Sequence, residues 1–324
     1  MELMPRFTLH RPETVQAAVA LRTAEADSRY LAGGTDMIVN VRRGIEQPTA
    51  LIDLNAIAEM QAVAAEDGGL RIGAGATLSR LGADAALAAG WPAVAEAARA
   101  VAGPTHRGYG TLGGNLCLDT RCIFYNQSEW WRAANDYCLK HRGSVCHVAP
   151  GGKRCFAAFS GDLAPALLVY DAEVEVAGPD GRRRQPLSEL YRADGMAHLT
   201  LAAGELLVAV HLPPAPAELR SAYAKIRVRG SIDFPLAGAA VRLALVDGRL
   251  ADLRIGLTAV GPSPFLIKGV DALLGRPLDE ATLAEIKETV RRQARPMRTT
   301  TIKPWYRRRA IGALAAKLAR QLAG

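Results

Sequence analysis

This chain has little that would take it into a membrane, and few side-chain groupings that would carry chemistry unaided. In 324 residues there is no run of about 18 apolar positions, so no helical membrane span is expected. Its first residues, MELMPRFTLHRPET, lack a charged stretch followed by an apolar one. No secretion signal is expected there, and the cytoplasm is the expected compartment. No Ser–His–Asp set, paired-carboxylate site or thioester-binding motif stands out, so no catalytic side chain is assigned in this chain. The formal charge is +8, and the basic residues crowd into RRQARPMRTTTIKPWYRRR, 291–309. No zinc finger, RNP or helix-turn-helix motif accompanies that run, which argues against nucleic acid. It reads as a solvated helix face or a surface that docks a partner protein. Internal repeats and low-complexity tracts are also missing.

What is present is a chain able to bury a core, because 49% of its residues are hydrophobic. Residues 13–25 have helical spacing after Arg11-Pro12. A short strand leads into Gly33-Gly34, TALIDL (49–54) reads as a buried strand, and 68–81 as strand, glycine turn and helix start. The Ala-rich stretch 84–101 is helical with a break at Gly90-Trp91-Pro92. A hairpin turning on PDG is expected within 162–190, and an alternating strand at 204–214. Pro-rich PPAPAE (213–218) is the best linker. Beyond it come three or four strands and two amphipathic helices, 279–294 and 306–322. This mixture is α+β.

Two turns share a design: LAGGTDM (31–37) and TLGGNL (111–116). Adjacent glycines follow an apolar residue and precede a small polar one. Glycine lets backbone N–H groups approach a ligand, and successive N–H groups make an anion-binding hollow suited to a pyrophosphate. Neither turn matches the GxGxxG or GxxxxGK[ST] fingerprints. Each alone is equally a plain tight turn; the pair is more telling, because a diphosphate can be gripped from two loops.

With GDLAPALLVYDA and AYAKIRVRGSIDFPLAGAA following in order, the chain resembles the flavin subunits of the xanthine dehydrogenase group of molybdenum hydroxylases. That resemblance implies an FAD-binding fold of two α+β subdomains (1–55 and 56–214), then a C-terminal domain of antiparallel sheet plus helices (215–324). It implies FAD contacts from Leu31, Ala32, Gly33, Gly34, Thr35, Asp36 and Met37, and from Thr111, Gly113, Gly114 and Asn115. Val101, Asp162, Leu207 and Lys225 fall on further flavin-contacting positions. For Val101 and Leu207 core packing is the competing reading, and for Lys225 a surface salt bridge.

Asn115 and Asp162 stand 47 positions apart, where relatives have a far shorter loop, so 118–158 reads as an insertion. It is aromatic, basic and without sustained helical or strand period. It holds Cys122, Cys138, Cys146 and Cys155, separated by 16, 8 and 9 positions. These spacings match neither the ferredoxin run nor a zinc ribbon and do not name a metal. In a reducing compartment four clustered cysteines favour metal ligation over disulfides. A [4Fe–4S] cluster is the favoured reading, because a redox centre beside flavin has a use there; zinc and free thiols stay open. Arg121, Arg132, Lys140, Lys153 and Arg154 are read as offsetting the cluster's charge, and Phe124, Tyr125, Trp130 and Trp131 as a small core around the metal. Cys117 is read as a buried hydrophobe, and His141 and His147 as solvated or hydrogen-bonded.

DTRCIFYNQSEWWR, NDYCLKHRG and the trailing CHV and RC are similar to the flavin subunits of the 4-hydroxybenzoyl-CoA reductase branch. That likeness implies the four cysteines as [4Fe–4S] ligands. It further implies electrons arriving from a ferredoxin, passing through the cluster and FAD toward a [2Fe–2S] subunit and a molybdenum-cofactor subunit, in a dimer of heterotrimers that dehydroxylates an aromatic thioester. Two alternatives stand beside it. One is a xanthine- or nicotinate-type hydroxylase subunit passing electrons outward to NAD or quinone; the other is a zinc-stapled FAD-binding module without a relay.

Overall fold

Three sheets succeed one another along the chain in a computed structural model that describes residues 4–324. The first is parallel: β1 (Thr8–His10) and β2 (Arg29–Leu31) flank β3 (Ala50–Asp53). The helix Val15–Ala24 connects β1 and β2, and the Thr14 side chain caps it by accepting from Ala17 N. The second sheet has the order β4-β5-β8-β6-β7, from β4 (Val63–Glu66), β5 (Gly69–Gly73), β6 (Glu173–Gly178), β7 (Gly181–Pro186) and β8 (Leu206–Leu212). The third joins β9 (Arg220–Ile226), β10 (Ala237–Val246), β11 (Arg249–Thr258) and β12 (Phe265–Leu266), all antiparallel. Such a mixture of helices and largely antiparallel sheets is the α+β class expected from the pattern.

The β8 strand departs from its expected alternation, since all seven of its residues are buried. The cause is position: β8 is the middle strand of five, and helices 15–24 and 112–116 also pack on it. A strand covered on both faces has no solvent side to mark with polar residues. The polar residue it does carry, His211, is matched inside the sheet by Glu66, with Nδ1 2.5 Å from the carboxylate.

The third sheet leans on the second through small side chains. Helix Pro92–Ala100 buries Ala93, Val94, Ala95, Ala97 and Ala98, and its surface meets β9. Ser221 Oγ accepts from Ala93 N at 3.0 Å, and Glu96 accepts from Tyr223 N at 2.7 Å. Helix Leu163–Leu168 is buried along its whole length. There β11 presses so close that a side chain at Gly256 would stand 2.6 Å from Pro165 O. The hairpin between β10 and β11 turns on Asp247-Gly248, both at positive φ.

One part of the basic C-terminal run is not solvated. Arg307, in helix Pro304–Ala323, is 1% exposed. It donates to backbone oxygens of Leu236, Met297 and Ala259 and to Thr299 Oγ1. Burial draws its pKa down to about 10. The residue is an internal strut, tying the end of the chain to the loops of the third sheet. Among the described residues no helix is long and apolar enough to cross a membrane.

Candidate functional site

A cavity of about 630 Å³ opens where the sheets come together. Its walls draw on Tyr30 of β2, on Leu206 and Leu207 of β8, and on Ile232–Phe234 between β9 and β10. That volume lies within the range of small-molecule and cofactor sites.

Both glycine turns lie on this wall, and they are built differently. In the first, Gly34 has φ +71, and the chain then enters helix Met37–Arg42. Gly33 lies under the carbonyl of Tyr109: a Cβ there would sit 1.7 Å from that oxygen. Only glycine permits this approach. In the second, Thr111 is the N-cap of the short helix Leu112–Leu116, its Oγ1 accepting from Gly114 N at 3.1 Å. A Cβ at Gly113 would meet Ala74 Cβ at 2.8 Å. Asn115 is already engaged, because its Oδ1 accepts from Leu163 N at 3.0 Å and so fixes the start of helix 163–168. Ala32 through Met37, Thr111, Gly113, Gly114, Asn115, Val101, Asp162 and Leu207 all line the cavity.

Two of the residues assigned to flavin from the sequence stand off that wall. Leu31 ends β2 and falls short of the lining. Lys225 lies behind Asp162: its Nζ is 2.9 Å from Asp162 Oδ1 and also donates to Asp233 O at 3.2 Å. Neither reading made for it describes this. Both side chains are 3% exposed, so the pair is a buried one. Burial pushes the Asp162 carboxyl up, while Lys225 and the Tyr223 hydroxyl, 2.6 Å away, draw it back. Lys225 thus holds the charge of a residue that faces the cavity.

Several wall residues carry no signal in the sequence: Arg29, Arg43 and Arg229 bring positive charge, and Met60, Leu199, Leu201 and Ile232 bring apolar surface. No local pattern marks them, because they converge from distant parts of the chain. Arg121, expected beside the cysteines, lies on this wall too. Glycine-exposed N–H groups and guanidinium groups suit a diphosphate, and the apolar walls suit a flat ring. The residues present fit FAD. Cys117 also lines the cavity, with burial pushing its thiol up to about 12.

A second, small cavity is lined by Cys122, Cys138, Cys146 and Cys155 together with Tyr125, Lys140 and His147. All four thiols are free and buried. Their segment has one short helix, Glu129–Ala134, and otherwise turns. The Cys122 carbonyl accepts from Asn126 N, that of Cys138 from His141 N and Gly143 N, and that of Cys146 from Ala149 N. At the neck, Arg121 and Ala158 exchange backbone hydrogen bonds of 2.8 Å each way. Burial pushes the Cys122 thiol up, and that of Cys155 to about 11. Among the described residues no three His, Cys, Asp or Glu side chains form a group that could hold a metal ion. The four cysteines line one shared space without forming such a group.

The surroundings of these cysteines differ in part from the sequence expectation. Tyr125 is buried and Phe124 lies 6.3 Å from Trp131, but Trp130 is 79% exposed and outside any core. The basic residues are largely committed elsewhere. Arg121 pairs with Asp36, Arg132 with Glu129, and Lys140 with Asp119 at 2.6 Å while lying 4.7 Å from the Tyr125 ring. His147 Nε2 donates to Tyr137 O at 2.5 Å.

Comparison with known proteins places this architecture. Residues 5–215 match the FAD binding domain in molybdopterin dehydrogenase, and 221–322 the CO dehydrogenase flavoprotein C-terminal domain. The chain is 30% identical over 323 residues to the aldehyde oxidoreductase FAD-binding subunit PaoB of Escherichia coli (strain K12), covering 97% of this chain and 98% of that one. It is 28% identical over 312 residues to the xanthine dehydrogenase FAD-binding subunit of Escherichia coli O157:H7, covering 95% and 93%. Among solved structures, reconstituted CO dehydrogenase from Oligotropha carboxidovorans superposes with a TM-score of 0.81 at 26% identity, covering 99% of both chains.

Proposed function

The chain belongs to the FAD-binding family of molybdopterin dehydrogenases, and on that premise we propose that it is the flavin and iron–sulfur subunit of a cytoplasmic molybdenum enzyme that reductively dehydroxylates 4-hydroxybenzoyl-CoA. It is an oxidoreductase subunit of the molybdenum hydroxylase family. In the proposed complex a ferredoxin is the donor, and electrons pass through a [4Fe–4S] centre and FAD to a [2Fe–2S] subunit and a molybdenum-cofactor subunit. The units of this chain are then 1–55 and 56–214 for flavin, with the cysteine segment inserted, and 215–324 for partner docking.

The observation that carries the proposal is the shared cavity lined by Cys122, Cys138, Cys146 and Cys155, in a segment reaching the flavin cavity through Arg121 and Asn126. Four thiolates are the donor set of a [4Fe–4S] cluster. Such a cluster supplies one-electron exchange, and FAD supplies exchange of one or two electrons. The protein's part is to hold both. The turn at Ala32–Met37 would present backbone N–H groups to the FAD diphosphate, whereas the N–H groups of Leu112, Gly113, Gly114 and Asn115 are bonded inside the fold, so the second turn would contribute only close backbone approach at its glycines. Lys225 keeps Asp162 oriented at the wall, and Leu206 and Leu207, which line the cavity, would keep water from the flavin ring when it is bound.

One observation favours the outward-running reading: the curated relatives include subunits named for xanthine and nicotinate dehydrogenases. The complex purified around this chain separates the two. With reduced ferredoxin or a low-potential dye, it should convert 4-hydroxybenzoyl-CoA to benzoyl-CoA. Hydroxylation of xanthine or nicotinate, with no dehydroxylation, would overturn the proposal.

A further inference from the structure

The flavin-facing turn at 31–37 and the cysteine segment are distant in sequence, yet Arg121 belongs to both. Its backbone closes the neck of the cysteine segment against Ala158. Its side chain, 11% exposed, pairs with Asp36 and donates to Asn40 Oδ1 at 2.9 Å, while Asn40 Nδ2 donates to Asp36 Oδ2 at 3.0 Å. Asp36, Asn40 and Arg121 all line the large cavity. The far end of the same helix is held as well, because Ile45, just beyond Arg42, is buried in the cluster formed by Cys122, Cys138, Cys155 and Tyr125. The element that presents the glycine turn is therefore gripped at both ends by the segment that carries the cysteines.

We propose that the cysteine segment is a clamp on the FAD loop, with Arg121 the positioning residue that couples metal loading of the four cysteines to FAD affinity. This rests on the four-cysteine reading of the preceding subsection. Apart from its cysteines the segment buries only Leu118, Tyr125, Ala157 and Ala158 among its apolar side chains, and in this proposal its metal supplies the remaining order. Without metal, Arg121 and the surface receiving Ile45 lose their fixed places, and the turn at Gly33–Asp36 must be ordered by FAD alone. Binding free energy then goes into ordering protein, and affinity falls. Linkage makes the effect reciprocal: FAD tightens metal retention by the same factor.

The test uses the full chain, metal-free or reconstituted with ferrous iron and sulfide, titrated with FAD. The iron-loaded chain should bind FAD about tenfold more tightly, within the usual range of coupling between sites. Bound FAD should strengthen iron retention against a chelator equally. Arg121→Met should take up iron but lose the iron-dependent gain, and Arg121→Lys should restore part of it. Ile45→Ala, which leaves the ion pair intact, should reduce the gain; far-UV circular dichroism shows that each variant is folded. Iron uptake with unchanged FAD affinity overturns the clamp alone, as does an undiminished gain in Arg121→Met. A chain that takes up no iron overturns the four-cysteine reading, and the clamp with it.

Discussion

The glycine turns and the cysteine segment border one cavity, but they are held in opposite ways. Around the turns the backbone is fixed by burial. A core running from Val15 to Ala240 packs behind them, and contacts such as Gly33 under Tyr109 O leave no room for adjustment. The cysteine segment has only a small cluster, Ile45, Cys122, Tyr125, Cys138, Cys155 and Ala157, in which half the residues are the candidate ligands themselves. Apolar burial of that extent cannot offset the ordering of some forty residues at about 1–2 kcal/mol each. A region built this way needs either a metal or attachment to its neighbours; this one has four thiols on one cavity and an arginine hooked into the flavin loop.

That contrast can be broken or sharpened by substitution, and the largest effect is expected in the burial-held region. Lys225→Met leaves the buried Asp162 carboxyl without its cationic partner. It should cost about 3–5 kcal/mol in denaturant unfolding; a loss below about 1 kcal/mol would show that the pair is not buried as described.

Next comes the pH dependence set by His198. Burial lowers its pKa from 6.5 to about 4, so the unfolded chain takes up a proton below 6.5 that the folded chain refuses until about 4. Its share of stability is complete above 6.5 and is lost as pH falls through that window, up to about 3 kcal/mol. His198→Gln should flatten the curve there, and an unchanged slope would exclude this histidine as its source.

Gly33→Ala should cost about 1–3 kcal/mol through overpacking against Tyr109 and strip FAD from the purified chain, read as the flavin-to-protein ratio. Gly151→Ala, in the cysteine segment and with nothing within 4 Å of its added methyl, should stay within about 0.5 kcal/mol and keep its flavin. If both glycines respond alike, the two regions do not differ in packing.

How far the sequence could be read follows the same division. Helix 279–294, the break at Trp91 and the hairpin around Pro179-Asp180 were legible because local periodicity and turn chemistry decide them. Strand β1 was not, since three residues carry no period and its pairing with β3 is set by the fold. Asp162 and Lys225 were legible as motif positions, but their pairing behind the cavity wall was not. Arg121 reads from the sequence as a charge near the cysteines, whereas it reaches 85 positions back to Asp36. Arg229, Ile232 and Phe234 join the wall from across the third sheet, and no local signal announces a long-range approach. Trp130 looked like core by composition and is solvated, because the helix 129–134 turns it outward.

The most direct measurement is the iron, acid-labile sulfide, zinc and flavin content of the anaerobically purified chain, with spectra recorded before and after dithionite. Four irons, four sulfides and one FAD per chain, with an electron paramagnetic resonance signal on reduction that is lost in Cys146→Ala, is the predicted result. One zinc per chain, or four cysteines freely alkylated with FAD still bound, would contradict it.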